Sequence, residues 1–123
     1  MRVQDLIAYK KGFDLAMSFF KIFKEFPKEE TYSLRGQIRR SSRRVCANLS
    51  EAYCKRRYQK HFISKLTDCD AENAETQTWL EFAFSCGYIQ KQTFENLKNK
   101  SIEISKLINF MILNPEKIGS KLS

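Results

Sequence analysis

The sequence contains little glycine, proline or valine. Four glycines and two prolines among 123 residues leave few positions for turns, so we expect a small number of long elements. Valine occurs only at Val3 and Val45, whereas Lys, Glu, Leu, Ile and Phe are frequent, and this composition favours helices over strands. The sequence has no run of about 18 apolar residues, as a membrane span requires. Charged residues come too early for a signal peptide, so we expect a cytoplasmic protein that does not enter a membrane.

The groups that enzymes use are also scarce. Only one histidine, His61, is present, and it does not follow a glutamate by three positions, as carboxylate metal sites in helical bundles require. Glu51, Glu72 and Glu75 therefore do not predict a metal site. The sequence has no glycine-rich phosphate loop and no Ser or Cys within a known catalytic motif. We expect no enzymatic activity, no catalytic residue, no metal and no cofactor.

The sequence has no C-x-x-C pair among its four cysteines, which are Cys46, Cys54, Cys69 and Cys86. A structural zinc site usually has two such closely spaced pairs. We therefore expect four reduced thiols that pack as small apolar residues.

Periodic apolar positions predict one all-α domain, 1–123, with helices at about 6–26, 32–56, 59–86 and 91–113 and a frayed tail at 115–123. Short connections between long helices are typical of an up-down-up-down antiparallel four-helix bundle. Gly87 is placed to end the third helix with a left-handed cap. The predicted core stripe of the first helix is Leu6, Tyr9, Phe13, Ala16, Phe20 and Phe23.

The other three helices have predicted core stripes at the same spacing. They are Leu34, Ile38, Ser41, Val45, Leu49 and Ala52; Phe62, Leu66, Cys69, Asn73, Thr76, Leu80 and Ala83; and Phe94, Leu97, Ser101, Ile104, Ile108 and Met111. Trp79, Phe82 and Phe84 lie off the third stripe. Apolar residues outside a core stripe predict a second buried surface, for which an oligomer interface is the natural use.

The charge is concentrated in one segment. Residues 35–60 carry nine basic residues and one acid, Glu51, and their sum of +8 equals the formal net charge of the whole chain. A neutral body with one basic segment is typical of a protein that meets an anionic partner. The basic residues are Arg35, Arg39, Arg40, Arg43, Arg44, Lys55, Arg56, Arg57 and Lys60.

Helical geometry places the arginines of the second helix opposite its core stripe. With Arg35 at zero, an advance of about 100° per residue puts the other four between about 40° and about 180°. The apolar stripe lies between about −100° and about −40°. Arginine forms paired hydrogen bonds with phosphate and stays charged at physiological pH. Tyr53 and Tyr58 are candidates for stacking on unpaired bases, although core or rim positions are commoner for tyrosine.

Two kinds of partner remain open. The arginines of the second helix, with Arg56 and Arg57, are candidate phosphate contacts in RNA or another nucleic acid. Alternatively, an oligomeric scaffold uses the same charge to bind an acidic protein, such as a nucleic-acid-processing enzyme. A membrane surface is disfavoured because the apolar face is needed for the core. Asn48 and Glu51 are expected to fix helix register or to bridge subunits rather than to catalyse.

The segment QIRRSSRRVCANLSEAY, with FPKEETYSL before it, KHFISKL after it and DLIAYKKGFDL near the start, resembles the family of proteins encoded within 23S rRNA intervening sequences. The similarity covers about residues 4–113. Its elements are Leu34, Gln37, Arg40, Asn48, Glu51, Phe62, Leu66, Glu75, Leu80, Gly87 and Tyr88. The chain departs from the family pattern with Arg44 in place of Ser, Ala52 in place of Gly, and Ala71-Glu72 in place of a Gly-Ser pair.

This resemblance implies a four-helix bundle that forms a homo-oligomer, typically a homopentamer, and associates with RNA or another nucleic acid. The family is similar to accessory proteins of diversity-generating retroelements, which bind nucleic acid and a reverse transcriptase. Its members are often called ribosomal-protein-like. The family pattern at Gln37, Asn48, Glu51 and Glu75 implies a role in structure or ring assembly for these residues.

Overall fold

Four long helices form the molecule, as predicted. The computed structural model describes residues 1–118. Helices α1 (Ile7–Ile22), α2 (Leu34–Cys54), α3 (Gln59–Ser85) and α4 (Lys91–Leu113) follow one another along the chain. α1 packs against α2 and α4, and α3 packs against the same two helices. α1 and α3 are therefore diagonal neighbours in an all-α, up-down bundle.

The ends of the bundle differ from the sequence prediction. α1 ends at Ile22, and a 3-10 turn at Phe23–Glu25 precedes the extended Pro27. At the other end, Pro115–Ile118 forms a 3-10 helix in which Pro115 is buried, so the predicted fraying is wrong for these four residues. The rest of the predicted frayed tail, 119–123, lies outside the described residues.

The core stripes of α2, α3 and α4 are confirmed, because every residue predicted in them is buried. The stripe predicted for α1 is only partly right, because Leu6 and Phe23 at its two ends are buried but its middle is not. Phe13 and Phe20 are each 53% exposed, and the inner face of α1 consists of Ala8, Gly12, Leu15 and Phe19. Gly12, which has no Cβ, explains the difference. A Cβ there would lie only 3.3 Å from Val45 Cγ1, so α1 approaches α2 closely through small residues.

Two hydrogen-bonded polar pairs fix α3 against its neighbours. The Thr76 hydroxyl donates to Ser41 Oγ on α2 at 2.8 Å. One turn away, Asn73 Nδ2 donates to the Ser101 carbonyl of α4, and the Ser101 hydroxyl donates to Asn73 Oδ1, both at 2.8 Å. All four side chains are buried, so their hydrogen bonds offset the desolvation of these polar groups.

The turn between α3 and α4 contains the predicted left-handed cap. Gly87 has φ 77°, and the Tyr88 amide donates to the Ala83 carbonyl at 2.9 Å, as in a Schellman motif. The cap positions Tyr88, whose hydroxyl donates to Glu30 Oε2 at 2.6 Å. This bond joins the end of α3 to the connection between α1 and α2.

The four cysteines are free thiols, but only half of them pack as predicted. Cys69 is buried and Cys46 is partly buried, whereas Cys54 and Cys86 are exposed. Burial raises the pKa of the Cys46 thiol to about 11. Cys54 and Cys86 lie at helix ends, where no further helix covers them.

Candidate nucleic-acid interface

α2 carries five arginines between α1 on one side and α3 on the other. The structure divides the predicted arginine surface into three parts. Arg40 and Arg44 contact α3, Arg35 and Arg39 contact the end of α1, and Arg43 is exposed between them. The helical angles alone predicted a single outward surface.

The α3 side is largely neutralised. Arg40 lies 3.2 Å from a carboxylate oxygen of Glu72 and forms a second ion pair with Glu75. Arg44 Nε lies 3.6 Å from Glu72. Gln37 Oε1 accepts a longer hydrogen bond of 3.5 Å from Arg40. These contacts occupy the two arginines within one chain and reduce the positive charge available to a ligand.

The arginines on the α1 side of α2 are not neutralised in this way. The guanidinium groups of Arg35 and Arg39 each lie 5.6 Å from the centre of the Phe23 ring, a favourable cation–π distance. Arg35 is partly buried and donates to Thr31 Oγ1 at 3.4 Å, whereas its Nε is buried without a hydrogen-bond partner. Arg39 and Arg43 are exposed, and neither forms an ion pair with any residue of 1–118.

The corner between α2 and α3 adds further positive charge. Lys55, Arg57 and Lys60 are exposed. Arg56 is held in place, because it donates to the Tyr53 carbonyl at 2.7 Å and stacks 4.0 Å from the centre of the Tyr53 ring.

The two tyrosines considered for base stacking differ in exposure. Tyr53 is buried, and its hydroxyl donates to the Met1 carbonyl at 2.8 Å, so its ring is not available to a base. Tyr58 is 52% exposed and meets His61 edge-on, with ring centres 6.2 Å apart. Tyr58 is therefore the tyrosine of this corner that a ligand can reach.

The residues implied in assembly contact two shared cations within the chain, Lys65 and Arg40. Glu51 pairs with Lys65 of α3 at 2.7 Å, and Lys65 also lies 3.5 Å from Asn48 Oδ1. The hydrogen bond between Lys65 and Glu51 lowers the pKa of the Glu51 carboxyl and raises the pKa of the Lys65 ammonium. Asn48 Nδ2 is buried without a partner. Glu75 accepts hydrogen bonds from Arg40 and, at 3.2 Å, from Trp79 Nε1.

The sequence analysis missed the contribution of α3 to the contacts of Arg40, Arg44 and Glu51. Lys65, Glu72 and Glu75 are the α3 residues that pair with α2, and the spacing of seven residues between Lys65 and Glu72, nearly two helical turns, is visible in the sequence. Their partners on α2 become evident only once the register of the two helices is known. Within residues 1–118, no group of three or more His, Cys, Asp or Glu is placed to hold a metal ion. None of the described helices is long and apolar enough to cross a membrane.

Comparisons with known proteins agree with this architecture. The model of the family described as 23S rRNA-intervening sequence protein matches residues 4–110. The fold is similar to the crystal structure of a protein with unknown function from the S23 ribosomal protein family of Bacteroides thetaiotaomicron, with a TM-score of 0.78 and 30% sequence identity. This match covers 86% of the present chain and 95% of the other. No curated protein is significantly similar to the chain.

Proposed function

The chain belongs to the 23S rRNA-intervening sequence protein family, and we propose that it binds RNA or another nucleic acid as a basic, non-enzymatic homo-oligomer in the cytoplasm. Ribosomal RNA is one candidate partner, because the solved relative is named as a member of the S23 ribosomal protein family. A homopentamer is the assembly that the family resemblance implies.

The observation that carries this proposal is a set of unpaired cations on α2 and at its corner with α3. The set runs along the outer side of α2 and around its corner with α3, and its members are exposed and form no ion pair within residues 1–118: Arg39, Arg43, Lys55, Arg57 and Lys60. We call these residues the basic edge. Cations without a carboxylate partner remain free to neutralise phosphates and release counterions.

Self-association strengthens the attraction between the basic edge and a polyanion. Each chain has a formal net charge of +8, so a ring of several copies concentrates a strong positive field around one particle. Such a field raises the association rate with a polyanion, and several linked basic edges increase the overall affinity for a long ligand.

Salt-titrated binding to a structured RNA tests the proposal. The wild type is compared with Arg39→Glu/Arg43→Glu and with Lys91→Glu/Lys106→Glu, which makes the same charge change on the exposed surface of α4. We expect log K to fall steeply with log salt. Each lost phosphate contact flattens that slope by about 0.7 to 0.9, so the basic-edge variant should lose at least about 1.4. The α4 variant should lose much less.

RNA binding that is absent, independent of salt or equally weakened by both variants would overturn the proposal. Poly-glutamate serves as a second probe in the same titration. Binding to poly-glutamate without binding to RNA would favour the alternative, an oligomeric scaffold for an acidic protein partner.

A further inference from the structure

α1 has a second apolar face that remains exposed among the described residues 1–118. Phe13 and Phe20 are each 53% exposed and Met17 is 39% exposed, while Tyr9 is partly buried beside them. At about 100° per residue, these four side chains fall within about 80° of one another around the helix. We call them the α1 patch. A contiguous aromatic surface of this kind marks an interaction site rather than ordinary scattered exposure.

A second apolar surface lies on α3, where it meets the start of α2. The rings of Trp79 and Phe82 are 5.8 Å apart, and Phe82 is 53% exposed. They line an open hollow, the α3 groove, together with Glu30, Ser33, Leu34, Gln37 and Cys86.

The two surfaces carry opposite charge. A hollow at the end of the α1 patch is lined by Phe20 and Phe23 and by four cations, Lys21, Lys24, Arg35 and Arg39. No Lys or Arg lines the α3 groove, within the part of the chain that the structure describes, and Glu30 is its charged residue. Hydrogen bonds from the Ser33 and Tyr88 hydroxyls lower the pKa of Glu30, so its carboxylate stays ionised. Lys21 and Lys24 of this hollow are not part of the basic edge, and they give the aromatic patch a basic border that matches an aromatic groove with an acidic border.

We propose that the α1 patch of one copy docks in the α3 groove of the next copy, so that the chain self-associates head to tail. α1 and α3 are diagonal in the bundle, and their outer faces therefore lie on opposite sides of the molecule. A two-fold dimer cannot bring both surfaces of each copy together at once. A heterologous contact can, and it leaves a free patch and a free groove that must be filled by further copies.

The two surfaces lie at the same end of the bundle. Arg35 and Arg39 line the hollow beside the α1 patch, while Leu34 and Gln37 line the α3 groove. The first turns of α2 thus contribute to both surfaces, which places them at the same end of the bundle. A contact between surfaces at the same height adds little translation along the axis that relates successive copies, and a heterologous contact of this kind forms a ring when its rotation closes.

This inference rests on the self-association in the proposed function and does not depend on RNA. Light scattering with size-exclusion chromatography tests it on the full chain without nucleic acid. The variants are Phe20→Glu in the patch, Phe82→Glu in the groove and, as a matched control, Phe110→Glu on α4, where Phe110 is 49% exposed outside both surfaces. Far-UV circular dichroism confirms that each variant is folded.

We expect wild type and Phe110→Glu to be multimers and the two other variants to be monomers. A mixture of Phe20→Glu and Phe82→Glu should form a species of twice the 14.5 kDa chain mass, because one member keeps its groove and the other its patch. A multimer that survives Phe82→Glu, or a mixture that stays monomeric, would overturn the head-to-tail contact. A monomeric wild type would also overturn it, because the self-association on which the inference rests would be absent. The RNA titration is a separate measurement and would still test nucleic-acid binding.

Discussion

Arg40 and Glu72 form an ion pair of 3.2 Å that joins α2 to α3. Arg39, the preceding residue, lies instead over the Phe23 ring and has no ion pair within residues 1–118. Two consecutive arginines therefore have different roles, since one links helices within the chain and the other remains available to a ligand.

Neutral substitutions separate these two roles. Arg39→Gln should flatten the slope of log K for RNA against log salt by about 0.7 to 0.9 and leave the melting temperature unchanged. Arg40→Gln should leave the slope nearly unchanged and lower the free energy of unfolding by up to about 1 kcal/mol, because a partly exposed ion pair contributes little more. RNA titrations and thermal melts of both variants check this. Equal slopes for the two variants would contradict the division of the arginine surface.

Removal of the Tyr88 hydroxyl should alter stability at alkaline pH. Its hydrogen bond to Glu30 raises the pKa of Tyr88 from 10.0 to about 12, so the folded state holds this proton more tightly than the unfolded state. The resulting stability is fully present below pH 10 and is lost as the pH rises to about 12. Tyr88→Phe should melt at a lower temperature at pH 8, and its difference from wild type should shrink across that range.

Tyr32→Phe is the matched control for this substitution, because Tyr32 is 99% exposed. Its melting curve should follow that of the wild type at every pH. A constant difference between Tyr88→Phe and wild type from pH 8 to pH 12 would show that the bond to Glu30 does not couple to the Tyr88 proton.

Asn73 is a polar residue of the core whose amide nitrogen and oxygen both form hydrogen bonds. It is fully buried and exchanges two hydrogen bonds with Ser101. Asn73→Ala should lower the free energy of unfolding by about 2 to 3 kcal/mol, since the substitution opens a cavity and removes partners from buried polar groups. Urea denaturation measures the loss. Asn99→Ala, an exposed substitution of the same type on α4, should change stability by less than about 0.5 kcal/mol, and an equal loss in both variants would argue against the buried pair.

Gly12 permits the close approach of α1 to α2. A Cβ at this position would lie 3.3 Å from Val45 Cγ1 and 3.4 Å from Cys46 Sγ. Gly12→Val should therefore overpack this contact and lower the free energy of unfolding by about 1 to 3 kcal/mol, and Val45→Ala in the same chain should recover part of the loss. Gly36→Ala is the control, because its Cβ would have only the Thr31 carbonyl oxygen nearby, at 3.7 Å. We expect it to stabilise the protein by up to about 1 kcal/mol through helix propensity.

The sequence was sufficient to predict the core faces of three helices but not that of α1. In α2, α3 and α4, one apolar stripe stands out from polar surroundings. α1 has apolar residues on two faces, and the larger aromatics, Phe13 and Phe20, are on the outer one. Periodicity does not distinguish a face that packs through Ala8 and Gly12 from one that remains exposed. The distinction depends on how closely α1 approaches α2.

The sequence was sufficient to predict the charge of the candidate interface but not its geometry. Helical angles correctly placed the arginines away from the core stripe of α2. They did not show that Arg40 and Arg44 lie beside Glu72, because the position of an acid on a neighbouring helix depends on tertiary register. For the same reason, the pairing of Glu51 with Lys65 was not predicted.

The polar pairs of α3 also limit which changes of chain length the protein can accept. Thr76 bonds to α2 and Asn73 bonds to α4 from adjacent turns of one helix. One inserted residue between Asn73 and Thr76 would rotate one side chain by about 100° relative to the other. α3 could then keep its hydrogen bond to α2 or to α4, but not to both. Insertions and deletions should therefore be tolerated in the connections between helices and rejected in the middle of α3.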